Sequence, residues 1–590
     1  MCSILGQITK NFNKNKFDHS NSLMSHRGPD NCSTYSFQDI HLAHNRLSII
    51  DLDSHANQPF LSFDNNFCIV FNGEIYNYLE IKSDLLNLGY KFRTNSDTEV
   101  LINGYIEWKE ELLNKLNGMF AFAILDKQKN EIFIARDRAG VKPLYYYLHN
   151  NEFIFSSEID PIVELLDNKV SLDEESIDIY YSLGYIPSPK TIYKEIKKFP
   201  QASYSIYKNS KLEIFEYWRP TFERKMFKEE IILDEIENLL KDSISLRVRS
   251  DVPIGAFLSG GIDSSLIVAY MKEMGIHTNT YTIGFREKEY DESVYAQNAA
   301  NTVNANFNLM TLDQSNFKSL NNVIGFFGEP FADASAIPTY YVSKFASKDV
   351  KVVLSGDGGD ELFMGYNSNK SFKLMQMYRK VPYFLRKLFE NVLEYISSFE
   401  NIPLIEKFKL MKKLINDNLD SAILTDINKK IIIKQDIRKD YHQYKLIAEE
   451  WIEAYLKEKV LLDDYERIMY NDFFMQLPDK MLAKVDRMSM AHSIEVRNPF
   501  LDYRLIEYAF SLSYKSKMPT FESKYLLKKL SEKFYSKDFI YREKSGFVPP
   551  IKYWINDNSA KAINSQDKYI DLVYKIFIKD KFEKNSNLSS

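Results

Sequence analysis

The sequence predicts an α/β protein built from two domains. The chain has 590 residues, which is more than one hydrophobic core usually supports. Its first 200 residues contain many short apolar strands and few helices, which is typical of stacked sheets flanked by helices. From about residue 250, strands alternate with helices, which predicts a doubly wound parallel sheet with extra helices. We expect a first domain at 2–200, a linker at 201–227, a second domain at 228–555 and a polar tail at 556–590.

The composition excludes several classes of protein. A net charge of −5 gives no general attraction to nucleic acid or to anionic membranes. No apolar run reaches the roughly 18 residues that a membrane helix needs, and no signal peptide precedes the first domain. Cys2, Cys32 and Cys68 are too few for a disulfide framework and lack metal-ligand spacing. We therefore expect a cytoplasmic protein that binds neither nucleic acid nor a membrane.

The cysteine at position 2 is a candidate nucleophile. Removal of Met1 would leave Cys2 with a free α-amino group directly beside its thiol. Such an amine has a pKa of about 7.7–8, so part of it is free base at neutral pH. The amine could accept the thiol proton and later return it, as in enzymes with an N-terminal nucleophile. An accidental cysteine at this position is the simpler interpretation when Cys2 is considered alone.

Four further features follow Cys2 in order along the first domain. They are the turn His26–Asp30, a strand carrying Arg46, the turn Asn72-Gly73-Glu74 and the helix start at Asp97. Asn-Gly alone is common in hairpin turns, and Asp alone is a common helix N-cap. Their joint order is what makes a functional interpretation the stronger one.

Together with Cys2, these motifs resemble the glutaminase domain of class II amidotransferases. The resemblance implies a sandwich of two sheets between two helical layers, the αββα fold of N-terminal nucleophile hydrolases. It also implies that Cys2 attacks the side-chain amide of glutamine, while Asn72 and the Gly73 N–H stabilise the oxyanion. The family usually has glycine after the cysteine, so Ser3 is expected to add a Cβ near the pocket.

The same resemblance assigns the residues that would bind glutamine. Arg46 would hold the α-carboxylate, a task that suits a planar guanidinium. Glu74 and Asp97 would hold the α-ammonium group. Asn72 and Gly73 would contact the substrate at the reacting amide.

A glycine turn in the second domain predicts a phosphate site. Ser259-Gly260-Gly261-Ile262-Asp263-Ser264-Ser265 follows the apolar run Val252–Leu258 and opens a helix. Adjacent glycines let backbone N–H groups converge, and a helix N-terminus favours an anion. A divalent cation bridging to that anion would explain the carboxylate of Asp263. The alternative is a plain glycine turn; the Gly-Lys-Ser/Thr ending of a P-loop is absent.

This turn resembles the pyrophosphate loop of the ATP pyrophosphatases, which adenylate a substrate. Ligands of doubly wound sheets bind at the carboxyl ends of the strands. The resemblance implies that ATP and pyrophosphate contact Phe257, Leu258, Ser259, Gly260, Gly261, Asp263, Ser264, Ser265, Ile283, Ser355, Gly356 and Lys544.

A second turn, Leu354–Glu361, is rich in glycine and acidic residues and follows a buried strand. A flexible loop is the simpler interpretation. The functional one places Asp263 and Asp360 on Mg²⁺ at the leaving pyrophosphate. Asp357 could orient or deprotonate the incoming ammonia, although some relatives have Glu there.

The run Asp486–Arg497 and the later Arg542–Phe547 resemble glutamine-hydrolysing asparagine synthetases. That resemblance implies a catalytic Arg487 that neutralises phosphate charge, with Lys544 a second candidate. It also implies that ammonia passes through an internal tunnel to an acyl-adenylate. A homodimer is a separate expectation, since no motif in the sequence determines the oligomeric state. Aspartate is the expected acceptor; the alternative is another carboxylate, such as a uronic acid of a surface polysaccharide precursor. No aspartate-binding residue can be assigned near Phe331–Ala336, and a non-catalytic scaffold is a further alternative.

Overall fold

The computed structural model describes residues 2–167, 169–382, 384–387, 464–542, 549–555 and 565–583. Its strands are β1 (Ser3–Ile8), β2 (Asn31–Phe37), β3 (Ile40–Arg46), β4 (Phe60–Leu61), β5 (Phe67–Ile75), β6 (Gly118–Asp126), β7 (Glu131–Arg136), β8 (Tyr145–His149), β9 (Glu152–Ser156), β10 (Ile196–Lys198), β11 (Ser203–Lys208), β12 (Lys211–Glu216), β13 (Ile254–Phe257), β14 (Asn279–Phe285), β15 (Asn306–Leu312), β16 (Val352–Leu354) and β17 (Glu495–Arg497).

The α-helices are α1 (Lys14–Ser22), α2 (Tyr78–Asn87), α3 (Asp97–Trp108), α4 (Leu112–Lys115), α5 (Asp160–Leu165), α6 (Glu174–Leu183), α7 (Glu229–Arg247), α8 (Ile262–Glu273), α9 (Ser293–Thr302), α10 (Leu320–Gly325), α11 (Ala336–Ala346), α12 (Gly359–Leu362), α13 (Asn367–Lys380), α14 (Asp464–Asn471), α15 (Ala483–Met490), α16 (Tyr503–Ser511), α17 (Tyr514–Lys517), α18 (Tyr525–Ser531), α19 (Lys537–Ile540), α20 (Ile551–Trp554) and α21 (Ser565–Ile578). A wider π-helical segment, Asp472–Leu482, connects α14 to α15.

The first domain consists of two antiparallel sheets packed face to face. One has the order β10-β8-β9-β1-β3-β2 and the other β12-β11-β7-β6-β5-β4. Apolar side chains such as Ile4, Val70 and Ile134 fill the space between them. Helices α1 and α5 cover the outer face of the first sheet, and α3 covers that of the second. This arrangement confirms the predicted αββα sandwich.

The second sheet continues into residues 201–227, which the sequence predicts to be a linker. β11 and β12 form a hairpin, and Ser203 of β11 pairs with Arg136 of β7. Asn209 and Ser210 at its turn both have positive φ, as two-residue hairpin turns require. The side chains of β11 alternate between buried and less buried positions, a pattern typical of a strand. The sheet of the first domain therefore extends to Glu216.

The second domain contains a five-stranded parallel sheet with the order β15-β14-β13-β16-β17. Helices α7 and α8 pack on one face, and α11 packs on the other. This confirms the predicted doubly wound parallel sheet. Both predicted loops follow central strands, since Ser259–Gly261 comes after β13 and Ser355–Gly358 comes after β16. They therefore meet at one edge of the sheet.

The segment expected to be a polar tail contains the helix α21. Tyr569, Val573 and Phe577 lie on one face of this helix and are buried in a hydrophobic cluster that contains side chains of both domains. The Tyr180 hydroxyl of α6 donates a hydrogen bond to the Ile570 carbonyl oxygen at 2.8 Å. Spacing of four residues between the apolar side chains is typical of an amphipathic helix, although Lys and Asp residues surround them. Residues 565–583 are thus part of the folded protein.

Buried charges join the two domains. Arg27 donates to both carboxylate oxygens of Asp486, at 2.8 and 3.0 Å, and to Glu158 at 3.0 Å. An exposed pair between Lys351 and Asp30, at 2.9 Å, also crosses the interface. Because Arg27 and Asp486 are almost fully buried, their pairing requires the two domains to be docked.

Candidate functional site

A pocket in the first domain brings together the predicted glutaminase residues. Cys2 lies immediately before β1, and Arg46, Gly73, Glu74 and Asp97 line the same pocket. These residues come from β3, β5 and the start of α3, so the sandwich collects them from distant parts of the chain. The structure therefore supplies one cavity for the side chains that the sequence predicts to act together.

Asn72 lies beside Cys2 in an arrangement suited to an oxyanion hole. The Cys2 backbone nitrogen donates to Asn72 Oδ1 at 3.2 Å. Within the described residues, Asn72 Nδ2 is buried and has no hydrogen-bond partner. A Cβ on Gly73 would lie 2.1 Å from the Met119 carbonyl oxygen, so only glycine fits next to Asn72. A buried donor without a partner could stabilise an oxyanion that develops during the reaction.

The surroundings of Cys2 require an internal base. Burial raises the pKa of the Cys2 thiol, because the thiolate would lose its hydration. Ser3 is buried, and its hydroxyl accepts a hydrogen bond from Asn45 Nδ2 at 2.8 Å. Successive side chains of a strand point to opposite faces, so Ser3 points away from the side of β1 that carries Cys2. Ser3 is not among the residues that line the pocket, and its expected effect there stays a prediction.

Arg46 holds the loop beside the pocket. Its guanidinium donates at 2.8 Å to the Asp53 carbonyl oxygen and at 2.8 Å to Asn57 Oδ1, and it also contacts the Asp51 carbonyl oxygen. The guanidinium thus lies at the pocket wall with several acceptors already bound. Its predicted contact with the glutamine carboxylate stays a prediction.

The predicted ammonium-binding carboxylates are linked to the second domain. Arg497 Nη2 lies 3.2 Å from Glu74 Oε2, and Arg497 Nε donates to Glu495 Oε1 at 2.6 Å. Glu495 itself lines the Cys2 pocket. Burial raises the pKa of Asp97 to about 6, and burial together with Asp97 raises the pKa of Glu74. The sequence does not predict Glu495 as a pocket residue, or Arg497 as its partner, because both belong to the distant strand β17.

The predicted phosphate loop connects β13 to α8. Gly260 has φ of 73°, and a Cβ there would lie 2.8 Å from the Ala296 nitrogen. The Ser264 hydroxyl accepts from the Ser259 nitrogen at 3.3 Å and donates to the Gly261 carbonyl oxygen at 3.2 Å, which closes the turn. The start of the 12-residue helix α8 leaves backbone N–H groups available at this turn.

The remaining predicted nucleotide contacts surround this loop. Phe257 ends β13, Leu258 follows it, and Ile283 lies on the neighbouring strand β14. Arg542 Nη2 donates to the Gly260 carbonyl oxygen at 2.8 Å. Lys544 lies outside the described residues.

The acidic loop packs directly against the phosphate loop. A Cβ on Gly356 would lie 2.9 Å from the Cβ of Asp263, so glycine permits this close approach. The Ser355 hydroxyl donates to Asp357 Oδ2 at 2.6 Å. Burial raises the pKa of Asp357, which makes this carboxylate a better proton acceptor than an exposed one.

The two predicted metal ligands meet where the loops face each other. The ammonium group of Lys524 pairs with both carboxylates. Its Nζ lies 2.6 Å from Asp360 Oδ1 and also contacts Asp263 Oδ2. Asp263 Oδ1 is buried and lacks a hydrogen-bond partner among the described atoms. Two carboxylates at one point are a donor set that suits a hard divalent cation such as Mg²⁺, and Asp263 Oδ1 is the oxygen that lacks a described partner. These residues therefore fit the expected metal.

Arg487 does not face the phosphate loop. Its guanidinium lies 3.2 Å from Glu158 Oε1 and donates to the Tyr145 hydroxyl at 3.1 Å and to the Ser157 carbonyl oxygen at 3.2 Å. All three partners belong to the first domain, so the expected phosphate contact is replaced by a contact between domains. Lys484 lies almost one turn earlier on α15. It is close enough to the acidic loop to act electrostatically on Asp357, and it donates to the Ser335 hydroxyl at 2.9 Å.

Two family models match the chain. One, described as asparagine synthase, matches residues 235–583, which is more than half of the chain. The chain belongs to the asparagine synthase family. The second, described as a glutamine amidotransferase domain, matches residues 1–218 and so includes the hairpin β11–β12 of this family member.

Relatives of this asparagine synthase family member match over most of its length. Asparagine synthetase (glutamine-hydrolyzing) 1 of Bacillus subtilis is 32% identical over 96% of this chain and 89% of its own. Putative asparagine synthetase (glutamine-hydrolyzing) 2 of Methanocaldococcus jannaschii is 37% identical over 83% of this chain and 98% of its own. Within the part of the chain that the structure describes, every helix is too short or too polar to span a bilayer.

Proposed function

We propose that this chain is a glutamine-dependent asparagine synthetase, a carbon–nitrogen ligase with one site in each domain. The observation that carries this proposal is the pairing of a Cys2 pocket with two facing loops that hold Asp263, Asp357 and Asp360. Family membership and the names of the full-length relatives support the same conclusion. Its substrates are glutamine, aspartate and ATP.

In the first site, Cys2 releases ammonia from glutamine. After Met1 is removed, the α-amine of Cys2 accepts the thiol proton and the sulfur attacks the amide carbon. Asn72 Nδ2 and the Gly73 N–H bind the oxyanion, while Arg46, Glu74 and Asp97 position the rest of glutamine. The amine returns its proton to the leaving nitrogen, and water then hydrolyses the thioester to glutamate.

In the second site, an aspartate side-chain oxygen attacks the α-phosphorus of ATP and pyrophosphate leaves. The resulting aspartyl-adenylate carries AMP as its leaving group, which departs far more easily than the hydroxide of a free carboxyl group. N–H groups of the loop Ser259–Ser265 would bind the pyrophosphate. The ammonia nitrogen would then attack the acyl carbon, AMP would leave, and Asp357 would accept a proton from the attacking ammonia. Asp263 and Asp360 would hold Mg²⁺, which neutralises pyrophosphate charge when it is bound.

The acceptor is best explained as an amino acid. Lys484 Nζ lies 3.6 Å from Asp333 Oδ2, and Ser335 bonds to both side chains. Lys484 also acts electrostatically on the predicted base Asp357. A cation and an anion side by side complement the α-carboxylate and α-ammonium of aspartate. A uronic acid has no ammonium group that would need Asp333.

Pyrophosphate release tests the acceptor directly. Release should depend on aspartate and should not respond to galacturonate or glucuronate. Dependence on a uronic acid with no response to aspartate would overturn the assignment and favour the alternative acceptor.

Replacement of the nucleophile tests the two-site scheme. Cys2→Ala should abolish glutamine-dependent synthesis and leave ammonia-dependent synthesis intact, because the second site does not need the thiol. Cys32→Ala, at an exposed cysteine, should change neither activity. A folded Cys2→Ala protein that lacks ammonia-dependent activity would contradict separate sites.

We also propose a cytoplasmic location, small-molecule partners only and a homodimer. Size-exclusion chromatography with light scattering measures the mass in solution. A mass equal to that of one chain over a range of concentrations would exclude the dimer.

A further inference from the structure

The proposed mechanism does not use Lys524, although this lysine lies at the centre of the second site. It immediately precedes α18, and its side chain is almost fully buried. Its ammonium group contacts one carboxylate from each of the two facing loops, Asp263 and Asp360. These are the two carboxylates that would hold the divalent cation.

The backbone conformation at Lys524 and the small size of Gly365 allow the contact between Lys524 and the two carboxylates. Lys524 has φ of 54°, a left-handed conformation that is strained for a non-glycine residue. A Cβ on Gly365 would lie 2.2 Å from Lys524 Cε and 2.0 Å from Asp360 Oδ1. A side chain at position 365 would therefore push Lys524 and Asp360 apart. The contact depends on specific backbone features at two separate positions.

An ammonium ion and a divalent cation cannot share this position. Both need the same carboxylate oxygens, and their charges repel each other strongly in a buried site. In the proposed function the polyphosphate of ATP binds at the loop that carries Asp263, so it offers the ammonium group of Lys524 a second anionic partner. When that partner is present, the two carboxylates become available to the metal.

On the basis of the proposed adenylating function, we propose that Lys524 takes the place of the divalent cation in the nucleotide-free protein. Metal binds tightly between Asp263 and Asp360 only together with the polyphosphate, which draws the ammonium group away. Lys524 is thus a positioning residue that makes metal binding dependent on nucleotide binding. It also keeps buried Asp263 and half-buried Asp360 paired with a positive charge in the absence of substrate.

Binding of Mn²⁺ to the nucleotide-free, full-length protein tests this proposal by electron paramagnetic resonance. Wild type should bind Mn²⁺ weakly at this site. Lys524→Met should bind it about tenfold or more tightly, because the competing charge is gone. Adding Asp263→Asn to Lys524→Met should remove the gain and so locate the new binding at this site.

Lys528→Met is the matched control, because Lys528 is one turn later on α18 and pairs with Glu522. It should bind Mn²⁺ as wild type does. Circular dichroism and an unchanged melting temperature check that each variant is folded, and Lys524→Gln should repeat the gain in Mn²⁺ affinity. Equal Mn²⁺ affinity of folded wild type and of both Lys524 variants would overturn the proposal.

Nucleotide binding separates this proposal from the proposed function. A non-hydrolysable ATP analogue should bind wild type in the presence of Mn²⁺, as measured by equilibrium dialysis. If the analogue fails to bind, the adenylating function is wrong. If it binds and the Lys524 variants gain no Mn²⁺ affinity, only the role of Lys524 is wrong.

Discussion

Asp97 should make glutamine binding sensitive to pH. Its pKa is raised to about 6 by burial, so the carboxylate is charged above that pH and neutral below it. A neutral carboxyl attracts the α-ammonium of glutamine less strongly, and the KM for glutamine should therefore rise as the pH falls from 7.5 to 5.5. Asp97→Asn should raise the KM about tenfold at pH 7.5 and weaken its pH dependence. Glutamate release measured across this range checks both effects.

The control for Asp97 lies on the same helix. Glu107 is exposed near the end of α3, and Glu107→Gln should leave the KM and its pH dependence unchanged. An Asp97→Asn protein that keeps the full pH dependence of wild type would show that another group is responsible.

Asn72→Ala should reduce the glutaminase activity and leave ammonia-dependent synthesis unchanged. Loss of an oxyanion donor typically costs about 10²–10³ in kcat, so glutaminase turnover should fall by that factor. Asn87→Ala, at an exposed position on α2, is the control. Unchanged glutaminase turnover in Asn72→Ala would exclude the role of Nδ2.

The close packing of the two loops after β13 and β16 predicts a specific effect on adenylation. In Gly356→Ala the new Cβ would lie 2.9 Å from Asp263 Cβ and from the Ser264 nitrogen, so the loops must move apart. Exchange of pyrophosphate into ATP should fall about tenfold or more, since misplacement by about an ångström is costly in catalysis. Glutaminase activity should be unaffected.

Gly325→Ala, at the end of α10, is the matched control for Gly356→Ala. A Cβ there meets no described atom within 4 Å, and its backbone is not left-handed. This variant should keep the wild-type exchange rate. A Gly356→Ala protein with normal exchange would mean that the loop spacing is not critical.

Local patterns account for what the sequence predicts well at the scale of elements. An apolar run followed by glycine and acidic residues predicts a strand and its loop, and this holds at β13 and β16.

The sequence predicts less well which of two neighbouring basic residues faces a site. Lys484 and Arg487 differ by about 60° around α15, and only the docking of α15 between the domains decides which one faces the second site. The helix α21 was missed because charged residues surround its narrow apolar face.

At the scale of the whole molecule, the buried pair Arg27–Asp486 should matter more than the exposed pair Lys351–Asp30. Removing one member of a buried pair typically costs about 3–5 kcal/mol, whereas an exposed pair contributes about 0–1 kcal/mol. Asp486→Asn should therefore lower the melting temperature and reduce the asparagine formed per glutamate released. Calorimetry and product ratios measure the two effects.

Lys351→Met is the corresponding control for the interface. It should leave the melting temperature and the product ratio close to those of wild type. An equal loss of stability in Lys351→Met and Asp486→Asn would show that burial does not distinguish the two pairs.

The strand β17 contributes to both sites of this enzyme. Glu495, at its start, lines the Cys2 pocket, and the carbonyl oxygen of Arg497, at its end, accepts from the Ser355 nitrogen at 2.9 Å. A single-residue insertion in β17 would shift the lining of both sites at once. The glutaminase half therefore cannot be recombined freely with another synthetase half, and a working chimera would have to transfer β17 together with the first domain or match it residue for residue.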